Sequence, residues 1–357
     1  MKRNLFLIIG IIAILFPMSL MAQEGPKISG FVQGIGQMNI KEGGDDAKTL
    51  IDNTFRARRV RMSLDGSLAK GLTYKIQGDF VRKPMLVDVY LKYKFNDAIA
   101  IQAGQFKTPF TMESPINPVN LEIFDYGESV QKLSGYSDVC GVGSIGRDLG
   151  IMITGNLIKP EGLDFNLLTY SLGVFNGNGA NELDNNNRKD FVGRLEVHPW
   201  LKHLTLSGSC YYGFYDKEGI HNGVRNRWAA GAQYSDGDIM VRAEYLSGAT
   251  GYMSNTLDSI GNVISSEQLK MMSQGYYAVA GYNFRLGKDK SQKLMPVLRF
   301  EHFAADAALN NGGTNYYTVG INYWPLKSVN FKFDYSFIQP EAGNNTHRIV
   351  GILSYKF

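Results

Sequence analysis

The connections of this chain alternate in length, and no other feature constrains its fold so tightly. Sixteen segments of alternating apolar and polar residues follow one another: 28–39, 54–68, 72–80, 85–95, 99–105, 148–157, 163–175 and 190–198, then 203–215, 225–234, 238–247, 274–286, 294–304, 315–324, 327–339 and 347–357. A polarity period of two marks a strand with unlike faces. Every second connection is short, at 69–71, 96–98, 158–162, 199–202, 235–237, 287–293 and 325–326. Those between are mostly long and polar, as at 40–53, 106–147, 176–189 and 248–273. Short turns at one rim and long loops at the other are the asymmetry of an outer-membrane barrel, with periplasmic turns and extracellular loops. A water-soluble sandwich gives no reason for it. The expected fold class is all-β, a transmembrane antiparallel β-barrel of about 16 strands.

The rest of the sequence fits that architecture. Beyond the first residues, no stretch approaches the roughly 18 to 20 apolar residues of a spanning helix, whereas a barrel strand needs only about 9 to 11. Glycine (40), tyrosine (20) and phenylalanine (20) are abundant, against 11 prolines and 2 cysteines. Lys2 and Arg3 precede an apolar run from Leu5 to Leu20, and Leu20-Met21-Ala22 ends on a small residue suited to cleavage. This reads as a secretory signal peptide over 1–22, with an uncleaved anchor as the alternative. One barrel domain over 23–357 follows. Losing Lys2 and Arg3 lowers the formal charge from +4 to +2, so the placement of charge matters more than its sum.

Two strands make the faces legible. Val329, Phe331, Phe333, Tyr335 and Phe337 alternate with Asn330, Lys332, Asp334 and Ser336. The polar set carries full charges that a packed core does not tolerate unpaired, so it is expected to face a water-filled lumen and the apolar set to face outer-membrane lipid. In the last strand Ile349, Gly351, Leu353, Tyr355 and Phe357 share a face. Such a terminal aromatic strand resembles the signal read by the outer-membrane barrel-assembly machinery. Cys140 and Cys210 are expected to be unpaired. Nothing points to a cofactor, a metal site or nucleic acid.

Residues 54–66, T-F-R-A-R-R-V-R-M-S-L-D-G, combine four arginines with a slip of phase. Phe55 and Ala57 put apolar residues on odd positions, while Val60, Met62 and Leu64 put them on even ones. A β-bulge between the two patterns turns both Arg58 and Arg59 inward. Without it, arginine meets lipid at a cost of roughly 2 to 4 kcal/mol near the midplane. The same phase rule points Lys75, Gln77 and Asp79 inward, and likewise Asp88, Tyr90, Lys92 and Lys94. Arg56, Arg58, Arg59, Arg61, Lys75, Lys92 and Lys94 then face three acids, Asp65, Asp79 and Asp88. Rings of Arg and Lys are how anion and phosphate pores are built, and the guanidinium fork suits oxyanions. Each arginine has a second reading, as the partner of a carboxylate in the third long loop: Glu113, Glu122, Asp125 or Glu128. The sequence leaves both open.

That loop, 106–147, exceeds the about 15 residues beyond which an unstructured connection is usually functional. It is expected to fold inward and narrow the channel, with Lys107 where strand hands over to constriction.

Taken in order, F-R-A-R-R-V-R-M-S-L-D-G (55–66), Y-K-I-Q-G-D-F (74–80), V-D-V-Y-L-K-Y-K (87–94), G-Q-F-K-T-P-F (104–110), R-D-L-G-I-M-I-T-G (147–155) and the aromatic last strand resemble the phosphate-selective porin O and P family. The resemblance implies a sixteen-stranded porin, a homotrimer, passing phosphate or related small anions. It implies that Arg58, Arg59 and Lys107 line the anion constriction, with Asp79 an acidic neighbour. The family's arginine ladder is matched only by scattered candidates, Arg194, Arg242, Arg299 and Arg348, which leaves a general porin without phosphate selectivity as the alternative. An enzyme is disfavoured: His198, His203, His221, His302 and His347 are scattered, and no nucleophile has a positioned base. A plugged structural barrel is disfavoured too, since barrels of 8 to 10 strands fill themselves more readily than sixteen.

Overall fold

Alternation alone builds the wall. In a computed structural model, which describes residues 24–357 except 44–47, 144, 200, 218, 258–262 and 311, the zigzag segments form one sheet closed on itself. The expected signal peptide lies outside the described residues. The first five strands are β1 (Glu24–Lys41), β2 (Leu50–Ala69), β3 (Leu72–Asp79), β4 (Leu86–Lys94) and β5 (Ala100–Lys107). After the third loop come β6 (Arg147–Leu157), β7 (Leu168–Phe175), β8 (Asp190–Val197) and β9, in two pieces, Leu204–Tyr212 and Phe214–Lys217. Then follow β10 (Ile220–Ser235), β11 (Ile239–Leu257) and β12, again in two pieces, Val263–Tyr282 and Phe284–Leu286. The last four are β13 (Gln292–Ala304), β14 (Gly313–Leu326), β15 (Val329–Pro340) and β16 (Thr346–Lys356). Neighbours pair antiparallel throughout. Closure is made by β16 on β1, from Phe31 opposite Lys356 to Lys41 opposite Thr346, so no strand edge is left open.

Most strand ends fall close to their expected places, and the departures share a cause. Residues 248–273 were expected as a loop, but β11 and β12 continue pairing from Gly248 opposite Ser273 to Leu257 opposite Val263. Beyond the bilayer no lipid face enforces alternation, so the polarity period stops while the hydrogen-bond ladder goes on. Phe214–Lys217 extends β9 against β10 in the same way. At the other rim β7 begins at Leu168 rather than 163, because Glu161 to Asp164 form the turn.

Outer and inner faces follow the expected phase. Phe331, Phe333, Leu353 and Tyr355 are exposed on the outside, and Phe55 is 90% exposed. Asn330, Lys332, Asp334 and Ser336 are buried inside. Burial, rather than contact with a water-filled lumen, corrects the expectation for this part of the wall. The third loop, residues 108–146, fills it, carrying a 3-10 turn (Pro118–Asn120) and the short helix α1 (Glu128–Leu133). Its Phe110, Leu121, Ile123, Val130 and Leu133 pack on inward residues of β8 to β13, including Val192, Tyr211, Tyr277, Val279 and Val297. Inward apolar residues on those strands are explained by this contact: each fully buried one contributes about 1.5 to 3 kcal/mol.

Candidate functional site

The phase slip of the arginine strand is a bulge. Gln33 stands opposite Arg59 and Gly34 opposite Ala57, so Arg58 is the extra residue. Above it Phe55 and Ala57 lie opposite Gly36 and Gly34 on the outer face; below it Val60, Met62 and Leu64 take that face. Arg56 shares the lumen side with Ile35, and Arg59 and Arg61 share it with Gln33 and Phe31. One inserted residue keeps two adjacent guanidiniums out of lipid.

Both of those guanidiniums meet the same loop carboxylate. Arg59 donates to Asp125 Oδ1 at 2.9 Å and to Gln33 Oε1 at 3.2 Å. Arg58 pairs with the other oxygen of Asp125, its guanidinium carbon 5.1 Å from the Phe124 ring centre. Burial pushes the Asp125 carboxyl up, but Arg58 and Arg59 more than reverse this and hold it at about 2. Arg61 donates to Asp79 at 2.9 Å, Lys75 pairs with Asp65 at 2.8 Å, and Gln77 donates to Ser63 at 2.6 Å. Lys92, opposite Gln102 and Thr73, faces the lumen without an ion pair among the described residues. Lys94 faces the same side but sits at the short-turn rim, 2.6 Å from Asp97.

Lys107 does something the sequence did not show. Its buried ammonium donates to the Ser114 and Ile116 carbonyls and to the Tyr126 hydroxyl, so it ties the start of the loop to its middle. The scattered arginines are also loop anchors rather than a ladder. Arg194 donates to the Thr111 carbonyl at 2.8 Å, Arg242 to Glu122 at 2.7 Å, and Arg299 to Glu113 at 2.8 Å, while Arg348 lies 5.4 Å from the Phe124 ring. Arg225 and Arg227, which the sequence reading passed over, hold Asp138. Their spacing of two in a strand was the available signal. Fastening is reciprocal: barrel Glu244 and Glu301 accept the loop amides of Met112 (2.9 Å) and Ser129 (2.7 Å). Gly127 lets the loop come close to the wall: a Cβ there would lie 1.7 Å from the Arg299 guanidinium and 2.7 Å from the Glu301 carboxylate, so both side chains would have to shift.

Apart from the Asp125 contact to β2 and the Lys107 ties, the loop is anchored on β8 to β16, which leaves space along β2 to β6. Beneath the loop a cavity of about 250 Å³ is lined by Arg61, Lys75, Lys107 and Arg147, with Asp88 the single acid. Asp88 is held by Arg147 at 3.1 and 3.3 Å. On the long-loop side, Arg56 is exposed, and half-buried Arg82, from the turn between β3 and β4, lies in the field of Asp79 and Asp125. The wall is thus a corridor rich in cations on both sides of the Asp125 contact.

A sequence-family model described as phosphate-selective porin O and P matches residues 36–349. The chain belongs to that family. It is therefore a porin of the bacterial outer membrane, a channel rather than an enzyme. No curated protein sequence matches this porin significantly. Among solved structures, the anion-selective porin from Comamonas acidovorans superposes with a TM-score of 0.63 at 13% identity, over 93% of this chain and 99% of that one. Salmonella typhi OmpF, solved with daunomycin, gives 0.60 at 14% identity over 94% and 100%. A loop-deleted OmpT of Vibrio cholerae gives 0.55 at 10% over 94% and 100%. At these identities the likeness shows the fold.

Proposed function

We propose that this porin passes small anions, phosphate and related oxyanions among them, by passive diffusion along the corridor between the third loop and strands β2 to β6. The observation that carries this is the charge of that wall. Arg56, Arg58, Arg59, Arg61, Lys75, Arg82, Lys107 and Arg147 gather there around Asp65, Asp79, Asp88 and Asp125. Such cations replace part of an anion's hydration, yet with neighbouring carboxylates in place they hold it weakly enough to let it leave. The structural likeness to the anion-selective porin supports the reading. Replacing Arg58 and Arg59 together with alanine lowers anion-over-cation permeability in planar bilayers; unchanged reversal potentials in a salt gradient would refute the proposal.

A broader anion preference is favoured over strict phosphate specificity by one observation. Arg194, Arg242 and Arg299 on the far wall are engaged by the loop and do not form a free track for phosphate. We read the channel as one unit of a homotrimer placed in the membrane by the barrel-assembly machinery. An apolar outer groove of about 900 Å³ beside Gly34, Gly36, Phe55, Ala57 and Gly351 supports contact between copies there. Cross-linking in native outer membranes tests it.

A further inference from the structure

We infer that the Asp125 carboxylate is a tethered competitor at the Arg58–Arg59 pair: it fills the place between the two guanidiniums in the resting channel, and a permeating oxyanion must displace it. The inference rests on the anion-channel reading and names the residue that sets how tightly the channel holds its solute. One oxygen of Asp125 lies against Arg58 and the other 2.9 Å from Arg59, so a single carboxylate bridges two adjacent guanidiniums. That is how a phosphate or sulfate oxyanion is held by paired arginines.

The fit is incomplete, and the shortfall points to the ligand. Arg58 Nη1 and Arg59 Nε are buried with no hydrogen-bond partner. Both side chains are more than nine-tenths buried, Arg59 being 1% exposed. A carboxylate has two oxygens to offer, while a tetrahedral oxyanion has four, enough to reach the donors that Asp125 leaves idle. Buried donors without partners are costly, so an anion that satisfies them gains over the resident carboxylate.

Displacement does not require the loop to come away. Glu113 on Arg299, Glu122 on Arg242 and Asp138 on Arg227 hold it independently of Asp125. The Asp125 side chain can therefore swing while the loop stays in place. Because it remains tethered, it competes at an effective concentration of order millimolar or above. The returning carboxylate expels the bound anion, which keeps a site built from two arginines from trapping what it should conduct.

The test measures block of chloride current by inorganic phosphate in planar bilayers. Asp125→Asn is expected to lower the half-blocking phosphate concentration at least tenfold. Glu128→Gln, which removes the same charge from the same loop but faces Lys132 of the loop's own helix, is expected to leave it within about twofold, since a screened long-range charge acts weakly. No tightening in Asp125→Asn overturns the inference, as does equal tightening in both variants. Parent crystals soaked in sodium selenate give a measurement independent of variant folding. Selenium between the two guanidiniums with Asp125 turned aside supports the inference; selenium absent or elsewhere with Asp125 in place overturns it. The parent's reversal potential in a potassium chloride gradient is recorded alongside. Loss of anion preference there defeats the functional reading itself, whereas failure of the Asp125 variant alone defeats only this inference.

Discussion

Arg227 reaches Asp138 at 2.5 Å, and neither side chain has any solvent-accessible surface. Asp138 also accepts from Arg225 at 3.1 Å, so two buried guanidiniums on β10 share one loop carboxylate, with Asp190 3.8 Å from Arg225 as a second acid. Asp138→Asn leaves Arg227 without an ion pair among the described residues, and removing one partner of a buried pair typically costs about 3 to 5 kcal/mol. The expected outcome is release of the 134–146 part of the loop while the barrel stays folded. Limited proteolysis checks it: new cleavage inside that stretch, with an intact barrel fragment, is expected, and parent-like protection would contradict the anchoring role.

Asp125 predicts a pH dependence of selectivity. Its carboxyl is held at about 2, below the roughly 3.9 of a free aspartate. A depressed carboxyl contributes fully above the free value and loses its contribution as pH falls through the depressed one. Reversal potentials in a potassium chloride gradient should therefore shift toward stronger anion preference as pH falls from about 4 toward about 2. The shift should be absent in Asp125→Asn. A step of the same size in both proteins would assign it to other carboxylates.

Deleting Arg58 tests the bulge directly. Without the extra residue Ala57 and Arg59 become neighbours: Phe55, Ala57, Val60 and Met62 keep the outer face, Arg56, Arg59 and Arg61 the inner one, and the ladder runs on without a slip. The Arg58 deletion should therefore assemble into vesicles like the parent, as seen by an unchanged compact band on unheated gels. Its anion preference should fall, because one of the two guanidiniums at Asp125 is gone. Loss of the compact band would show that the wall needs the bulge itself and not only the phase it preserves.

The two cysteines should differ in reactivity. Burial, and then the charge of Asp138, push the Cys140 thiol up to about 12. Cys210 lies on the outer face opposite Trp228 and is exposed there. A membrane-permeant maleimide at pH 7.5 should label Cys210 in detergent and leave Cys140 unmodified until the loop is released, as in Asp138→Asn. Peptide mass mapping reads both sites, and fast labelling of Cys140 in the parent would show that it is not buried.

Legibility in the sequence followed the periodic signal. Wherever lipid imposes alternation, as from Val329 to Phe337 or Ile349 to Phe357, strand and face could both be read, while the register between them could not. The slip between Arg58 and Arg59 was readable for the same reason, because two phases meet there. The 248–273 hairpin was missed where that constraint ends. The loop acids Glu113, Glu122 and Asp125 could be named as partners for arginines, but not matched to them: pairing Glu113 with Arg299 spans 186 positions and depends on how the loop crosses the barrel. Lys107 could be placed at the loop's start, yet its three oxygen partners exist only once the loop has curled back.

Because the loop packs mainly against β8 to β13, the proposed route runs eccentric to the axis of the cylinder. On that route a drifting ion meets a few consecutive strands and the loop's near edge. Changes in solute preference should accordingly cluster within residues 54–154, while the remaining circumference is left to act as chassis.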